Sequence, residues 1–270
     1  MLTCMRAWLG LAALLPLLAT AEPADEQIWN KLRANIFTNR TIIEGSPGIV
    51  EIDAPERAED AATVPIAIRA TPPAGSNSPV QRIYLVIDRN PSPLGAVFTF
   101  FPDSGRAAIE TRVRIEDYTT VRAIAELADG KLYMSSRYVK AAGGCSAPAG
   151  RDKAASQARL GRIKFRVDEP VSFGQPGLAQ LMISHPNSSG LAMDQLTRLY
   201  ETPHFVRRVD VRYDGRPVLL AEVDFTISEN PNFRFPFLPR QNGTLTAEII
   251  DTEDKRFTST LAVSGAPAAR

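Results

Sequence analysis

The feature that most constrains this fold is a succession of short runs rich in β-branched and aromatic residues, separated by turn residues. The runs form two series, between residues 48 and 139 and between residues 163 and 263. Pairs such as Asp129-Gly130 and Asn242-Gly243 favour tight hairpins between them. Short strands without intervening helices are typical of sandwiches, so we predict an all-β protein with two immunoglobulin-like β-sandwich domains.

The predicted strands are bounded by changes of periodicity. They cover residues 49–52, 64–68, 83–87, 96–101, 107–113, 120–127 and 132–139, then 163–167, 178–184, 205–213, 218–225, 233–237, 245–250 and 257–263. Ile28, Leu32 and Ile36 recur every fourth residue and predict one short N-terminal helix over 25–37, with Asp25 as its cap.

The organisation of the chain follows from these patterns. We expect a signal peptide at 1–21, a helix and lead-in at 22–45, one sandwich at 46–140 and a second at 163–265. Residues 141–162 lose all strand periodicity and are rich in Ala and Gly, which predicts an arm or linker, with a possible helical start within 152–160.

The first residues are typical of a secretory signal. Arg6 precedes an apolar run over 7–18, and small residues at 19–21 suit cleavage before Glu22. An uncleaved anchor would need about twenty apolar residues, and Cys4 lies too early to be a lipoprotein cysteine. We therefore expect a periplasmic protein.

The charges are balanced. The chain has 31 basic and 30 acidic residues, and Arg6 is the charged residue within the signal. Removal of the signal therefore leaves equal numbers of basic and acidic residues. Nucleic acids and anionic membranes bind surfaces with an excess of basic residues, so neither is expected as a partner.

Cysteine chemistry concentrates on one residue. Of the 2 cysteines, Cys4 leaves with the signal and Cys145 cannot form an internal disulfide. Gly143 and Gly144 precede it, and their lack of side chains predicts a flexible segment with an exposed thiol rather than a small buried hydrophobe. Lys140 or Arg151, if near, would favour the reactive thiolate.

Other chemistries lack support in the sequence. His185 and His204 have no further ligand at a metal-like spacing, so we predict no metal, and we expect a structural or surface role for His185 and a loop position for His204. Neither a G-x-S-x-G elbow nor a phosphate-binding loop occurs. We accordingly name no catalytic or cofactor-binding residue.

Each half of the chain contains an ordered set of motifs. They are DRNPSP, FTFFPDSGRAAIETRVRI, VRAIAELADGKLYM and GGC in the first half, and LMISHP, VRYDGRPVLLAEVD, ISENPNFRFPF and NGTLTAEIIDTEDKRF in the second. These motifs resemble a known family, the SoxYZ sulfur carriers of thiosulfate oxidation, with both subunits in one chain. Residues 63–145 are similar to SoxY, and residues 172–263 to SoxZ.

The resemblance implies a carrier without turnover of its own. Cys145 would be the covalent attachment site for sulfur intermediates, and Gly143 and Gly144 the flexible residues of a swinging arm. A c-type cytochrome, a thiosulfohydrolase and a sulfane dehydrogenase would be its partners. One departure is that Ser146 and Ala147 follow the cysteine and the chain continues, so this arm is tethered at both ends.

Two other functions stay open from the sequence. Fused carriers of this kind also resemble proteins associated with quinoprotein alcohol dehydrogenases, where the chain would be an immunoglobulin-like accessory module with an incidental thiol. A thiol hydrolase would need a histidine within hydrogen-bonding distance of the sulfur.

Overall fold

The computed structural model describes residues 24–38, 40–46, 48–148, 153–193 and 197–267. The predicted signal peptide at 1–21 lies outside these residues. The described part is mostly β-sheet, with two sandwich-like domains and one short N-terminal helix, which confirms the predicted fold class. Within it, no helix has the length and hydrophobicity needed to cross a bilayer.

The strands fall into the two expected series. The first contains β1 (Ile42–Glu44), β2 (Val50–Asp53), β3 (Val64–Ala70), β4 (Val80–Ile87), β5 (Leu94–Phe100), β6 (Ala107–Val113), β7 (Thr119–Leu127) and β8 (Leu132–Val139). The second contains β9 (Ile163–Val167), β10 (Ser172–Phe173), β11 (Gly177–Ile183), β12 (Val206–Tyr213), β13 (Arg216–Val223), β14 (Asn232–Phe237), β15 (Gly243–Asp251), β16 (Arg256–Val263) and β17 (Ala266–Pro267). Every predicted strand has a counterpart.

The strands form two large sheets that both run through the two sandwiches. The larger sheet has the order β1-β8-β7-β4-β5-β13-β12-β15-β16, and the smaller has the order β2-β3-β6-β14-β11-β9. The sandwiches meet where β5 pairs antiparallel with β13, with Phe98 opposite Ala221. In the smaller sheet, β6 meets β14 where Glu110 lies opposite Arg234. The sandwiches are thus joined by sheet pairing as well as by the linker.

The core lies between the sheets and continues across this seam. Along β3, buried and solvent-facing side chains alternate, as expected for a strand with one covered face. The buried rings of Phe98 in β5 and Phe233 in β14 pack edge to face with centroids 6.3 Å apart. These rings belong to different sandwiches and different sheets, so each domain contributes to one shared core.

Helix α1 (Ala24–Phe37) covers the outer face of the larger sheet. Its Trp29 and Phe37 are buried against Val86, Ile124 and other side chains of β4, β7 and β8. This second covered face explains why β7 is buried along almost its whole length. The buried guanidinium of Arg122 in β7 lies 4.2 Å from the Trp29 ring centroid, a cation–π contact.

The linker contains the short helix α2 (Lys153–Ala158), which lies within the range 152–160 where a helical start was predicted. Residues 149–152 lie outside the described part. The domain boundaries themselves remain predictions.

Candidate functional site

A single carboxylate anchors the segment that carries the cysteine. Glu116 lies just beyond β6, and its Oε2 accepts hydrogen bonds from the Cys145 N–H at 2.8 Å and the Ser146 N–H at 3.1 Å. Its Oε1 accepts a bond from the Ser146 hydroxyl at 2.9 Å. Charge-assisted bonds of this kind are stronger than neutral ones, so Glu116 fixes the turn at Cys145.

Backbone bonds hold the preceding glycines against the same strand end. The Gly143 N–H donates to the Glu116 carbonyl at 2.8 Å, and the Gly144 N–H donates to the Ile115 carbonyl at 2.9 Å. A Cβ on Gly144 would lie 2.0 Å from the carbonyl oxygen of Ala61. The absence of a side chain at Gly144 therefore permits close packing of the backbone in this conformation.

Gly143 differs from its neighbour. A Cβ there would meet nothing within 4 Å, but the residue has a φ of +80°, which glycine adopts without strain. The two glycines thus serve a turn and a close approach. Their predicted role as a flexible arm remains a prediction.

The thiol is buried, so the expectation of an exposed thiol is wrong for this conformation. Cys145 is 0% exposed. Burial first, then the negative charges of Glu116 and Asp224, raise the pKa of the Cys145 thiol to about 12, and the positive charge of Arg114 opposes them. The thiol is therefore protonated near neutral pH and is a poor nucleophile as long as it stays in this position.

Of the two cations that would favour the thiolate if they lay near it, the structure describes Lys140 alone. Lys140 pairs with Glu56 at 2.6 Å, and its charge is directed away to that exposed carboxylate. Arg151 lies outside the described residues. Arg114 is the cation that acts on the thiol among the described residues, and no pattern in the sequence indicates it.

The thiol lies at the boundary between the two sandwiches. The hydroxyl of Ser189, from the second domain, donates to the Cys145 carbonyl at 2.5 Å. Arg114, from the first domain, donates through Nη1 to carbonyls of the second, including Asn187 at 2.8 Å and Ile227 at 2.9 Å. Residues of both domains therefore surround the cysteine.

A second polar cluster, which the sequence did not predict, joins the two histidines. The rings of His185 and His204 pack edge to face with centroids 4.6 Å apart. Asp251 Oδ2 lies 2.8 Å from His204 Nε2 and 3.5 Å from His185 Nε2. Burial first, then the charge of His204, lower the pKa of His185 to about 4, and Asp251 opposes the change. Residues far apart in sequence come together here, which spacing alone cannot reveal.

The donor atoms of this cluster are of the types that bind transition metals. However, His185 Nδ1 accepts a hydrogen bond from the Asn187 N–H at 3.0 Å. A neutral imidazole that accepts at Nδ1 carries its proton on Nε2, the atom that faces Asp251. A metal would need the lone pair of that atom, so we interpret the cluster as structural. His204 is hydrogen-bonded to Asp251, whereas His185 Nε2 is buried and makes no hydrogen bond within the described residues.

The hydrogen bonds that the described residues make to the two imidazole rings involve Asp251 and the Asn187 N–H, and neither ring bonds to Cys145. Within the described residues, this conformation therefore offers the sulfur no histidine as a general base. A thiol hydrolase of the kind considered from the sequence lacks its histidine partner here.

Comparisons with known proteins identify two matching families. Residues 33–145 match the family described as sulfur oxidation protein SoxY. Residues 165–262 match the family described as sulphur oxidation protein SoxZ. The SoxY match ends at residue 145, the position of Cys145. No curated protein matches the chain.

Solved structures with similarity to the chain include the sulfur carrier protein SoxY from Chlorobium limicola f thiosulfatophilum, at 26% identity, over 43% of this chain and 96% of that one, with a TM-score of 0.35. A superoxide reductase (neelaredoxin) from Ignicoccus hospitalis matches at 17% identity over 42% of this chain and 87% of that one, with a TM-score of 0.29. Fibronectin(III)-like modules of Clostridium thermocellum CbhA match at 15% identity over 82% of this chain and 95% of theirs, with a TM-score of 0.25.

Proposed function

Because this chain belongs to the SoxY and SoxZ families, joined in one polypeptide, we propose that it is a periplasmic carrier that holds sulfur intermediates covalently on Cys145. The observation that carries the proposal is the position of this cysteine. It is the last residue of the SoxY match, and it lies against SoxZ residues at the domain boundary.

The carrier alternates between two arm positions in this proposal. In the withdrawn position, Cys145 is buried and its pKa of about 12 keeps the thiol protonated. A free cysteine in water has a pKa of about 8.5, so release of the arm restores a reactive thiolate fraction. Withdrawal would protect the lone thiol from oxidation between encounters.

Release needs only local changes. The bonds that hold Cys145 and Ser146 come from Glu116 and Ser189, and Ser146 is already exposed. The donors and acceptors that lose these bonds form hydrogen bonds with water instead. The net free energy of release is therefore far smaller than the summed energies of the broken bonds. Gly143 and Gly144 would then give the released segment its conformational freedom.

The proposed partners follow from the family. A c-type cytochrome would accept the two electrons released when thiosulfate joins the thiol, and a thiosulfohydrolase and a sulfane dehydrogenase would process the conjugate. The carrier needs no cofactor and performs no turnover of its own. Both ends of the arm continue into folded structure, at β8 and α2, so partners must accept a loop rather than a free tail.

One observation favours a second candidate function. A thiol that is 0% exposed is also what an incidental buried cysteine would show. In that case the chain is an immunoglobulin-like accessory module of a quinoprotein alcohol dehydrogenase system, and Cys145→Ala leaves the activity of that system unchanged.

Intact-mass spectrometry separates the two. Wild type and Cys145→Ser are purified from producing cells supplied with thiosulfate, without reductant. The carrier predicts a mass increase that dithiothreitol removes, in wild type alone. Failure to find any adduct specific to wild type rejects the carrier.

A further inference from the structure

Arg114 is a buried cation that no carboxylate contacts among the described residues, although the negative charges of Glu229 and Glu201 act on it. It is 4% exposed, and its Nη1 donates to three carbonyls, those of Asn187 and Phe225 at 2.8 Å and of Ile227 at 2.9 Å. Its backbone N–H donates to the Thr226 carbonyl at 2.7 Å. In the part of the chain that the structure describes, Arg114 forms no ion pair.

A comparison within the same chain shows how unusual this is. Arg122 is also buried, but its guanidinium binds both carboxylate oxygens of Asp88, at 2.8 to 3.0 Å. A buried charge is normally compensated by an opposite charge, because desolvation costs several kcal/mol per ion. Burial accordingly lowers the pKa of Arg114, although its charge is retained at any physiological pH.

Arg114 lies beside the thiol. The next residue, Ile115, accepts a hydrogen bond from the Gly144 N–H. Asn187, which accepts from Arg114, lies two residues before the Ser189 that holds the Cys145 carbonyl. The charges of Arg114 and a Cys145 thiolate would stabilise each other. The thiol itself is protonated, so within the described residues the resting site contains a cation without an anion in direct contact.

We propose that Arg114 binds the anionic sulfonate end of a thiosulfate group attached to Cys145, and so retains the loaded cargo at the domain boundary. This inference rests on the proposed function and deepens it. A guanidinium presents parallel N–H donors that fit two oxygens of a tetrahedral oxyanion. The negative charges of Glu116 and Asp224 also act on the Cys145 sulfur, so an anionic cargo there needs the opposing charge of Arg114.

Tetrathionate loads the site without any other oxidant. The Cys145 thiolate, its proton released to solvent, attacks an inner sulfur of tetrathionate and forms a new S–S bond. The central S–S bond breaks, and thiosulfate leaves with the electron pair. Cys145 then carries a thiosulfonate, which is charged at every accessible pH. Methyl methanethiosulfonate gives a neutral methylthio adduct on the same sulfur, with methanesulfinate as the leaving group.

The test measures how fast dithiothreitol discharges each adduct from the full-length protein. Discharge returns the Cys145 thiol, oxidises dithiothreitol to its cyclic disulfide and releases thiosulfate or methanethiol. We expect Arg114→Gln to accelerate discharge of the thiosulfonate by about tenfold, because one hydrogen bond to a charged group contributes about 1.5 kcal/mol or more. The methylthio adduct is discharged at the wild-type rate, and Arg114→Lys gives an intermediate rate for the thiosulfonate.

Arg122→Gln is the matched control, since it removes a buried guanidinium that has its own carboxylate. We expect it to leave the ratio of the two discharge rates unchanged. Equal acceleration of both adducts by Arg114→Gln would show a structural role alone and overturn the inference, as would no acceleration of either.

The unfolded protein provides a reference in wild type, in case Arg114→Gln does not fold. In urea, Arg114 no longer lies beside Cys145, so folding is expected to slow discharge of the thiosulfonate about tenfold more than discharge of the methylthio adduct. Equal slowing of both adducts by folding contradicts the inference. These assays use a chemically loaded protein, so they can fail while cells still load Cys145, and they can succeed if cells load nothing. The two proposals are therefore tested separately.

Discussion

Glu116→Ala provides the sharpest perturbation of the withdrawn arm. The change removes the acceptor of three hydrogen bonds, from the Cys145 N–H, the Ser146 N–H and the Ser146 hydroxyl. Bonds to a charged group contribute about 1.5 to 3 kcal/mol each in favourable cases. Glu116 is only half-buried and the released donors gain water, so we credit the three together with about 2 kcal/mol.

That free energy predicts a large change in thiol reactivity. With about 1.4 kcal/mol per factor of ten, the fraction of molecules with a released arm rises by about 30-fold in Glu116→Ala. Because the withdrawn thiol is protonated, a neutral disulfide such as dithiodipyridine reacts almost only with released arms. The rate of thiopyridone release, divided by the rate for the unfolded protein, therefore reports the released fraction.

The matched control is Glu56→Ala. Glu56 is an exposed carboxylate that pairs with Lys140 at the base of the arm, and it makes no contact with Cys145 in the described structure. We expect its removal to leave the rate unchanged. A natively folded Glu116→Ala protein with wild-type thiol reactivity would refute the view that Glu116 holds the arm.

Three further predictions concern the arm, the histidine cluster and the seam. Gly144→Ala should expose the thiol far more than Gly143→Ala, because a Cβ at Gly144 would lie 2.0 Å from a backbone oxygen. At Gly143 the cost is only the strain of a positive φ, about 1 kcal/mol, and equal dithiodipyridine rates would contradict this ordering. His185 takes its proton at about 4 when folded and at 6.5 when unfolded, so the free energy of unfolding should fall by up to about 3 kcal/mol as pH drops through this window. His185→Gln, measured by urea denaturation, should be less stable but lose this part of the pH slope, and an unaltered slope would refute the assignment. Phe98→Ala should cost about 3 to 5 kcal/mol and leave one calorimetric transition, because both domains share the core at Phe98, whereas two separated transitions would contradict a shared core.

Much of the fold could be predicted from the sequence, because alternation and turn residues define strands of ordinary length. The strands that were missed, such as β1 (Ile42–Glu44) and β10 (Ser172–Phe173), are too short to show any alternation. The pairing between β5 and β13 could not be predicted from the sequence either. Edge strands from two series carry no local signal of the partner that they meet.

The site was predicted only in part. Cys145 stands out because it is solitary and follows two glycines, but its burial depends on Ala61 and Glu116, which are distant in sequence. Two glycines before a thiol are compatible with a flexible backbone and also with close backbone packing. In the withdrawn arm, Gly144 is closely packed. Arg114 directly follows an ordinary strand pattern, and only the folded chain reveals that it is buried without an ion pair among the described residues.

The central claim is that Cys145 is loaded and unloaded, and a pulse-chase experiment tests it most directly. The protein is charged with thiosulfate labelled at the sulfane sulfur in the presence of a c-type cytochrome, then chased with a thiosulfohydrolase and a sulfane dehydrogenase. Peptide mass spectrometry follows the label. The account predicts that the label appears on the peptide containing Cys145, is absent from Cys145→Ser, and leaves during the chase as the free thiol returns. Label that never reaches Cys145, or that stays there through the chase, would contradict a carrier.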